Sequence, residues 1–309
     1  MERRDRIYGG LFGLLVGDAL GVPYEFHDAA NLPPIDAIEM RPPSGFHRSH
    51  MSVKPGTWSD DGAQALCLLI SLLDCGKLDP DDLGKRFVAW YESGYMAIDN
   101  HVFDVGVHTS QVVQAISNGM PVLDAGAMGQ NARGNGSLMR SLPLALWHWG
   151  TDRELVADAH LQSQVTHGDA YCQVCCALYC LWARRLLDQT KSPWVDAVTA
   201  LREIYQSNLT FLDILDWAVQ PDDQPEGCGS GYVIDALQSA RMVMAVGDYE
   251  QVVKAAIALG DDTDTTACIA GGVAGIRDGI DAIPARWYEQ LRGKEIVLPL
   301  IERLTTAGT

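Results

Sequence analysis

The chain has 309 residues, 47% of them hydrophobic and 20% charged, which is enough to bury a substantial core and excludes a disordered composition. Forty acidic residues against 23 basic give a formal net charge of −17, which excludes nucleic acid and anionic lipid as default partners. An anionic ligand would need a local device, such as a helix N-terminus or a bound cation.

The start, "MERRDRIYGGLFGLLVGDALG", has the basic opening and short apolar patch of a secretory signal, but its apolar run from Leu11 to Val16 is short and Asp18 breaks the stretch beyond it. It reads as the first helix of the fold. No stretch offers the roughly 20 uninterrupted apolar residues that a membrane span requires. Gly9, Gly13, Gly17 and Gly21 recur every four residues along this helix and form one smooth face. Each interior Gly costs about 1 kcal/mol relative to Ala, so a close backbone approach is expected there.

A long loop, 25–58, comes next, and then "TWSDDGAQALCLLISLLD" opens a second helix. Apolar residues at three- and four-residue steps continue through "LGKRFVAWYESG", "SQVVQAISNG", "ELVADAHLQSQVTH", "AYCQVCCALYCLWARRLLD", "WVDAVTALREIYQ", "YVIDALQSARMVMAVG" and "YEQVVKAAIALG". No series of alternating β-branched segments with hairpin signals interrupts them, so the expected fold is all-α, one domain over 1–309. A second loop lies at 220–231. Near the C-terminus "GDDTDTTACIAGGVAGI" opens a helix in which Gly271, Gly275 and Gly279 repeat the glycine stripe.

Two of these helices begin in the same unusual way. Ser59, Asp60 and Asp61 crowd one first turn, and Asp261 to Thr266 bring three carboxylates and three hydroxyls to another. Ser, Thr and Asp are good N-caps, and acids suit the positive end of a helix, so capping accounts for part of each cluster. One cap needs one oxygen, however, and each cluster offers five or more. If the two starts face each other, cations are needed to hold four carboxylates together. Ligation by oxygen alone selects Mg²⁺, Mn²⁺ or Ca²⁺, and shared carboxylates suit a two-metal hydrolytic centre.

Six blocks in order, "GLFGLLVGDALGVPYEF", "TWSDDGAQAL", "FDVGVHT", "RGNGSLMR", "VTHGDAY" and "GDDTDTTACIAGGVAG", together with "GSGYVIDAL", resemble the ADP-ribosylglycohydrolases of the dinitrogenase-reductase-activating type over nearly the whole chain. The resemblance implies an orthogonal multi-helix bundle carrying two divalent cations, Mg²⁺ or Mn²⁺. Position by position, the ligands would be Ser59, Asp60, Asp61, Asp262, Asp264 and Thr265. Ser59 stands where many relatives carry Thr, and Asp261 where the family carries a small residue, usually Gly. Glu25 matches a glutamate able to reach the metals or the attacking water from a mobile loop, and Asp104 matches the catalytic base of the arginine-specific branch. With Asp61, these are the catalytic candidates.

Asn135, Gly136 and Ser137 form a turn whose amides suit a diphosphate, His167 matches a histidine beside the ribose or phosphates, and Tyr232 is the candidate for stacking on a substrate ring. Arg133 is a possible assistant to the turn. Thr263, Met139 and Arg140 read as structural. Cys172, Cys175, Cys176 and Cys180 share one face of one helix, which cannot wrap an ion tetrahedrally, so they read as buried small hydrophobes.

The expected activity is hydrolysis of the N-glycosidic bond of ADP-ribosylarginine on a modified protein, by a cytoplasmic monomer. The competing expectation is a protein that binds ADP-ribose and neutralises an ADP-ribosyltransferase toxin by occlusion, with the 25–58 loop as the blocking element.

Overall fold

A computed structural model describes residues 1–127 and 132–306. These contain fifteen α-helices and no strand, the only β pairing among them being the isolated bridges Asp28–Gly260 and Gly134–Tyr232. In chain order the helices are α1 (Arg3–Gly21), α2 (Asp60–Cys75), α3 (Pro80–Ser93), α4 (Val107–Ser117), α5 (Val122–Ala127), α6 (Leu142–Trp147), α7 (Asp152–Gln164) and α8 (Ala170–Leu187). They continue as α9 (Pro193–Tyr205), α10 (Leu209–Asp213), α11 (Val233–Val243), α12 (Tyr249–Ile257), α13 (Thr263–Asp278), α14 (Ala285–Gln290) and α15 (Lys294–Thr306). The 25–58 loop holds only two single 3₁₀ turns, Ala29–Asn31 and Ile35–Ala37.

Local chemistry sets the helix ends. Thr151 with Glu154 and Asp248 with Gln251 form reciprocal capping boxes on α7 and α12, which satisfy first-turn amides. Gly76 and Gly94 end α2 and α3 in the left-handed conformation that costs glycine nothing. Ser59 caps α2 by accepting from the Asp61 amide at 3.3 Å.

The glycine stripes decide the centre of the molecule. A Cβ on Gly9 would lie 2.2 Å from the Gly275 carbonyl oxygen, on Gly13 2.4 Å from that of Gly271, and on Gly17 2.1 Å from that of Ala267. On Gly21 it would lie 2.4 Å from the Cα of Asp264. Because the contacts run forward on α1 and backward on α13, the two helices are antiparallel and touch backbone to backbone along their length. Only glycine allows that approach. Its consequence is functional, since the last of these contacts pins the acidic start of α13 against the end of α1.

The rest of the core closes around this pair. Leu66, Leu68, Leu69 and Leu72 of α2, Leu178 and Leu181 of α8, and Val252 and Val253 of α12 are all fully buried. Each buried Leu contributes about 1.5–3 kcal/mol relative to exposure. By length and composition the stretch Arg3–Tyr24 qualifies for a membrane crossing, which the broken apolar run did not suggest, but 94% of that window is buried inside the fold. Cys172, Cys175, Cys176 and Cys180 are buried along α8, as their spacing implied.

Candidate active site

Asp18, which the sequence offered only as a break in an apolar run, organises the first acidic helix start. It is fully buried near the end of α1 and accepts from the amides of Ser59 (2.9 and 3.1 Å) and Gly62 (2.8 Å). A side chain from one helix thus caps the next and fixes where Asp60 and Asp61 point. On the other side, Thr263 donates to the Gly21 carbonyl at 2.9 Å and fixes the start of α13. Its reading as structural fits this bond.

The two starts meet. Thr265 Oγ1 donates to Asp61 Oδ2 at 3.4 Å across a sequence separation of 204, and Ser59 Oγ donates to the same oxygen at 3.2 Å. Asn135 Nδ2 donates to Asp262 Oδ2 at 2.8 Å, and Gln64 Nε2 to Asp60 Oδ2 at 3.0 Å. Carboxylate oxygens of Glu25, Asp262 and Asp264 converge to within 4.8 Å of one another. Glu25 therefore stands close enough to the second acidic motif to share an ion with it, whereas among the described residues Asp60 and Asp61 belong to no such trio.

Capping does not explain this arrangement. Asp262 is the residue before α13, yet its side chain makes no cap bond and is spent on Asn135. Asp264 is fully buried, and neither of its carboxylate oxygens has a hydrogen-bond partner; Asp61 Oδ1 is in the same state. Buried acceptors left unpaired are costly. Burial, followed by the neighbouring carboxylates, pushes Asp60, Asp61 and Asp264 well above the ordinary range and raises Asp262. The same causes carry Glu25 to about 11 and, by burial, Asp18 to about 7. A cation reverses this logic by holding the carboxylates ionised. The orphaned oxygens and the all-oxygen donor set fit hard divalent cations.

One buried cation serves the cluster from behind. Arg140 is fully buried, donates to Gln64 Oε1 (2.9 Å) and Gln162 Oε1 (3.1 Å), and reaches Asp60 through Gln64. Burial lowers it to about 10. Its motif suggests a packing residue, and the structure makes it an electrostatic one as well.

Above the carboxylates opens a cleft of about 430 Å³. Of the residues singled out from sequence, Glu25, Asp60, Asp104, Asn135, Gly136, His167, Asp262 and Thr265 line it, as does Met139, which read as structural, with Ser59, Asp61 and Asp264 buried nearby. A Cβ on Gly136 would meet His167 Cε1 at 2.8 Å, so glycine leaves this wall open. His167 is held by Thr166 Oγ1 at 2.8 Å from Nδ1, and burial keeps it neutral. Two residues fall outside the cleft. The Ser137 hydroxyl turns into the core toward Ser163 Oγ (2.9 Å), and Tyr232, 40% exposed, stands beyond the lining, with its backbone bridged to Gly134. Arg133 is spent on Asp169 at 3.2 Å and on the Tyr171 ring.

His50, from the long loop, was missed from sequence because nothing near it in the chain marks it. Its Nε2 lies 2.6 Å from Glu25 Oε2 and 4.0 Å from Asp104 Oδ1. Burial raises Glu25 and lowers His50, and both shifts favour an uncharged pair at this contact in the metal-free chain. Phe26, His50, Asp104 and Asp261 all take left-handed backbone conformations, at φ of 62°, 49°, 56° and 58°. The last explains the family's small residue at 261, since glycine is at ease there and Asp tolerates it. The exposed Asp261 exchanges backbone bonds of 2.8 Å with Phe26 and His27, which ties the Glu25 loop to the second acidic motif.

Over residues 1–309 the chain matches the sequence model of the ADP-ribosylglycohydrolase family. It is 27% identical to the ADP-ribosylarginine hydrolase Tri1 of Serratia proteamaculans over 310 residues, covering 98% of this chain and 80% of that protein. It is 28% identical to the ADP-ribosyl-[dinitrogen reductase] glycohydrolase of Rhodospirillum rubrum, covering 93% of this chain and 90% of the relative. Among solved structures, an ADP-ribosylglycohydrolase-related protein complex superimposes with a TM-score of 0.77 at 29% identity, covering 98% of both chains.

Proposed function

The chain belongs to the ADP-ribosylglycohydrolase family, and on that premise we propose that it hydrolyses the N-glycosidic bond between ADP-ribose and an arginine side chain of a modified protein. The observation that carries the reading is the meeting of two acidic helix starts under an open cleft, with three buried carboxylate oxygens unpartnered. The printed activities of the Serratia and Rhodospirillum relatives support the linkage class.

Ser59, Asp60, Asp61, Asp262, Asp264 and Thr265 would hold two divalent cations, with Glu25 within reach. Bound there, Mg²⁺ or Mn²⁺ supplies Lewis acidity toward ribose hydroxyls and a water. The chain's own groups do the rest. The carboxylates around the cleft favour the positive charge that develops on the sugar as the bond to guanidine breaks. Guanidine leaves well only protonated, and Asp104 and Glu25, which both line the cleft, the latter held by His50, are placed to exchange that proton. Asn135 and Gly136 present a glycine-open turn to the diphosphate, beside the neutral imidazole of His167.

Release of ADP-ribose from arginine- and serine-linked substrates, with Mn²⁺ and with EDTA, tests the proposal. Turnover of the arginine-linked substrate that EDTA abolishes is the expected result. Tight binding of ADP-ribose without turnover would instead leave the occluding binder of an ADP-ribosyltransferase.

A further inference from the structure

Two aromatic side chains flank the carboxylates that manage the leaving group's proton, and neither belongs to the hydrophobic core. Phe26 follows Glu25 directly, and Phe103 directly precedes Asp104. Phe26 lines the acidic cleft, yet 68% of it is exposed. It holds that place at φ 62°, a left-handed conformation that sterics disfavour for a bulky side chain. Its amide donates to the Asp261 carbonyl at 2.8 Å, which anchors the residue beside the second acidic motif.

The ring is supported from behind. Phe26 packs on His50 with centroids 5.7 Å apart, and His50 packs on Phe103 at 5.1 Å. His50 is in turn fixed by Glu25 at 2.6 Å, so ring and carboxylate are parts of one assembly. The rest of the Phe26 ring stays open at the cleft, where its apolar area gains by burial once something covers it.

The chemistry of this corner selects the cover. Glu25 and Asp104 line the same cleft as the ring, in a chain of net charge −17, so a cation is favoured over an anion or a neutral group. Guanidinium is planar, permanently charged and weakly hydrated, and it stacks on aromatic faces while donating N–H groups to carboxylates. Ammonium is compact and strongly hydrated, and a serine hydroxyl has neither charge nor a flat face. Adenine is flat but uncharged, so the charge of the corner gives it no preference.

On the reading of an arginine-linked substrate, on which this rests, we infer that Phe26 determines specificity for the leaving group: its ring receives the guanidinium face, with the N–H groups toward Glu25 and Asp104. One exposed ring thereby favours arginine over serine.

Release of ADP-ribose by the Mn²⁺-loaded full chain, from arginine- and serine-linked substrates, tests this together with calorimetric titration of ADP-ribose. Phe26→Ala should raise KM for the arginine-linked substrate about fivefold or more, the loss falling on KM rather than on kcat, while the Kd of ADP-ribose stays within about twofold. Phe26→Tyr, which keeps an aromatic face, should restore the parent's KM, and Phe26→Leu, apolar without a π face, should not. Equal KM for the parent and Phe26→Ala overturns the inference. So does a rise in the ADP-ribose Kd that matches the rise in KM, since it would place the adenosine on the ring. If the parent turns over no arginine-linked substrate, the hydrolase reading fails, and agmatine then decides the subsite alone. Agmatine should bind the chain saturated with Mn²⁺ and ADP-ribose, and Phe26→Ala should weaken it about fivefold or more. Agmatine that binds both proteins equally, or neither, overturns the inference.

Discussion

Gly17→Ala tests whether the glycine stripe sets the distance between the two acidic helix starts. The new Cβ would sit 2.1 Å from the Ala267 carbonyl oxygen and 2.7 Å from its carbon, both backbone atoms that cannot rotate away. Ordinary contact begins near 3.4 Å, so α1 and α13 must part locally by about 1.3 Å. Overpacking of this kind costs about 1–3 kcal/mol, but Ala also favours a helix interior over Gly by about 1 kcal/mol. The net loss of stability is therefore small, roughly 0–2 kcal/mol. The effect on the site is not small, because Asp18 follows Gly17 directly and Thr265 lies two residues before Ala267. A misplacement of about 1 Å at a reacting centre costs on the order of a hundredfold in turnover. Denaturant unfolding, calorimetric Mn²⁺ titration and ADP-ribose release should thus show a nearly stable protein with weakened ion binding and about a hundredfold less activity. Leu14→Ala is the control: fully buried on the same helix, it should cost about 2–5 kcal/mol and leave ion affinity intact. If Gly17→Ala loses stability but keeps its Mn²⁺ affinity and turnover, the glycine register does not position the site.

Asp264→Asn removes a buried carboxylate with no partner, so in EDTA the variant is expected to melt no lower than wild type, while losing both turnover and the rise in melting temperature that Mn²⁺ gives the parent; a normal Mn²⁺ shift would show that the residue is not a ligand. Asp18 contributes to the pH dependence of the metal-free protein alongside the other raised carboxylates. Its folded pKa of about 7 exceeds its ordinary 3.8, so between these values the folded state keeps a proton that the unfolded chain has released. Stability accordingly falls as pH rises from about 4 to 7, by up to about 4 kcal/mol at about 1.4 kcal/mol per pH unit, and the raised cluster carboxylates act in the same direction. Denaturant curves in EDTA across this range should slope downward, Asp18→Asn should make them shallower by about 1.4 kcal/mol per pH unit, and a stability that climbs with pH would refute the sign. His50→Ala, which frees Glu25, should lower turnover about tenfold with Mn²⁺ affinity retained, and His50→Gln should recover most of it by keeping a partner at 2.6 Å range; equal kinetics for all three proteins would remove His50 from the site.

How far the sequence reached depended on whether the signal was local. Ten of the fifteen helices were legible because three- and four-residue apolar steps are written in consecutive residues, and the glycine stripes because their period matches the helix that carries them; α5, α6, α10 and α14, of five or six residues, are too short to show a period, and α15 carries Pro299 inside it. The ligand-rich helix starts were legible as composition, but charge alone made their partnership only conditional, and the family resemblance was what paired them. Asp18, Arg140 and His50 were not legible, because their roles exist only across helices: Asp18 caps a helix forty residues away in the chain, and Arg140 reaches Asp60 through Gln64. The Ser137 hydroxyl shows the converse. Its place in a turn was readable, but its rotation toward Ser163 was decided by packing.

The capping alternative, which the sequence left open, is where physical accounting decides most. Ser59 does cap α2, and Asp18 supplies the acceptors for two further amides there, so three of the four orphan donors of that terminus are served without the side chains of Asp60 or Asp61. At α13, Asp262 gives its oxygen to Asn135 and Asp264 gives its oxygens to nothing. A chain under no other demand would gain by replacing Asp264 with an apolar residue, because a buried, unpaired carboxylate among like charges opposes folding. Its retention beside Asp61, at the end of the glycine stripe that brings α1 and α13 into backbone contact, makes sense only if the opposing energy is recovered on binding positive charge. The cost in the empty protein and the affinity in the loaded one are then two readings of the same electrostatic term.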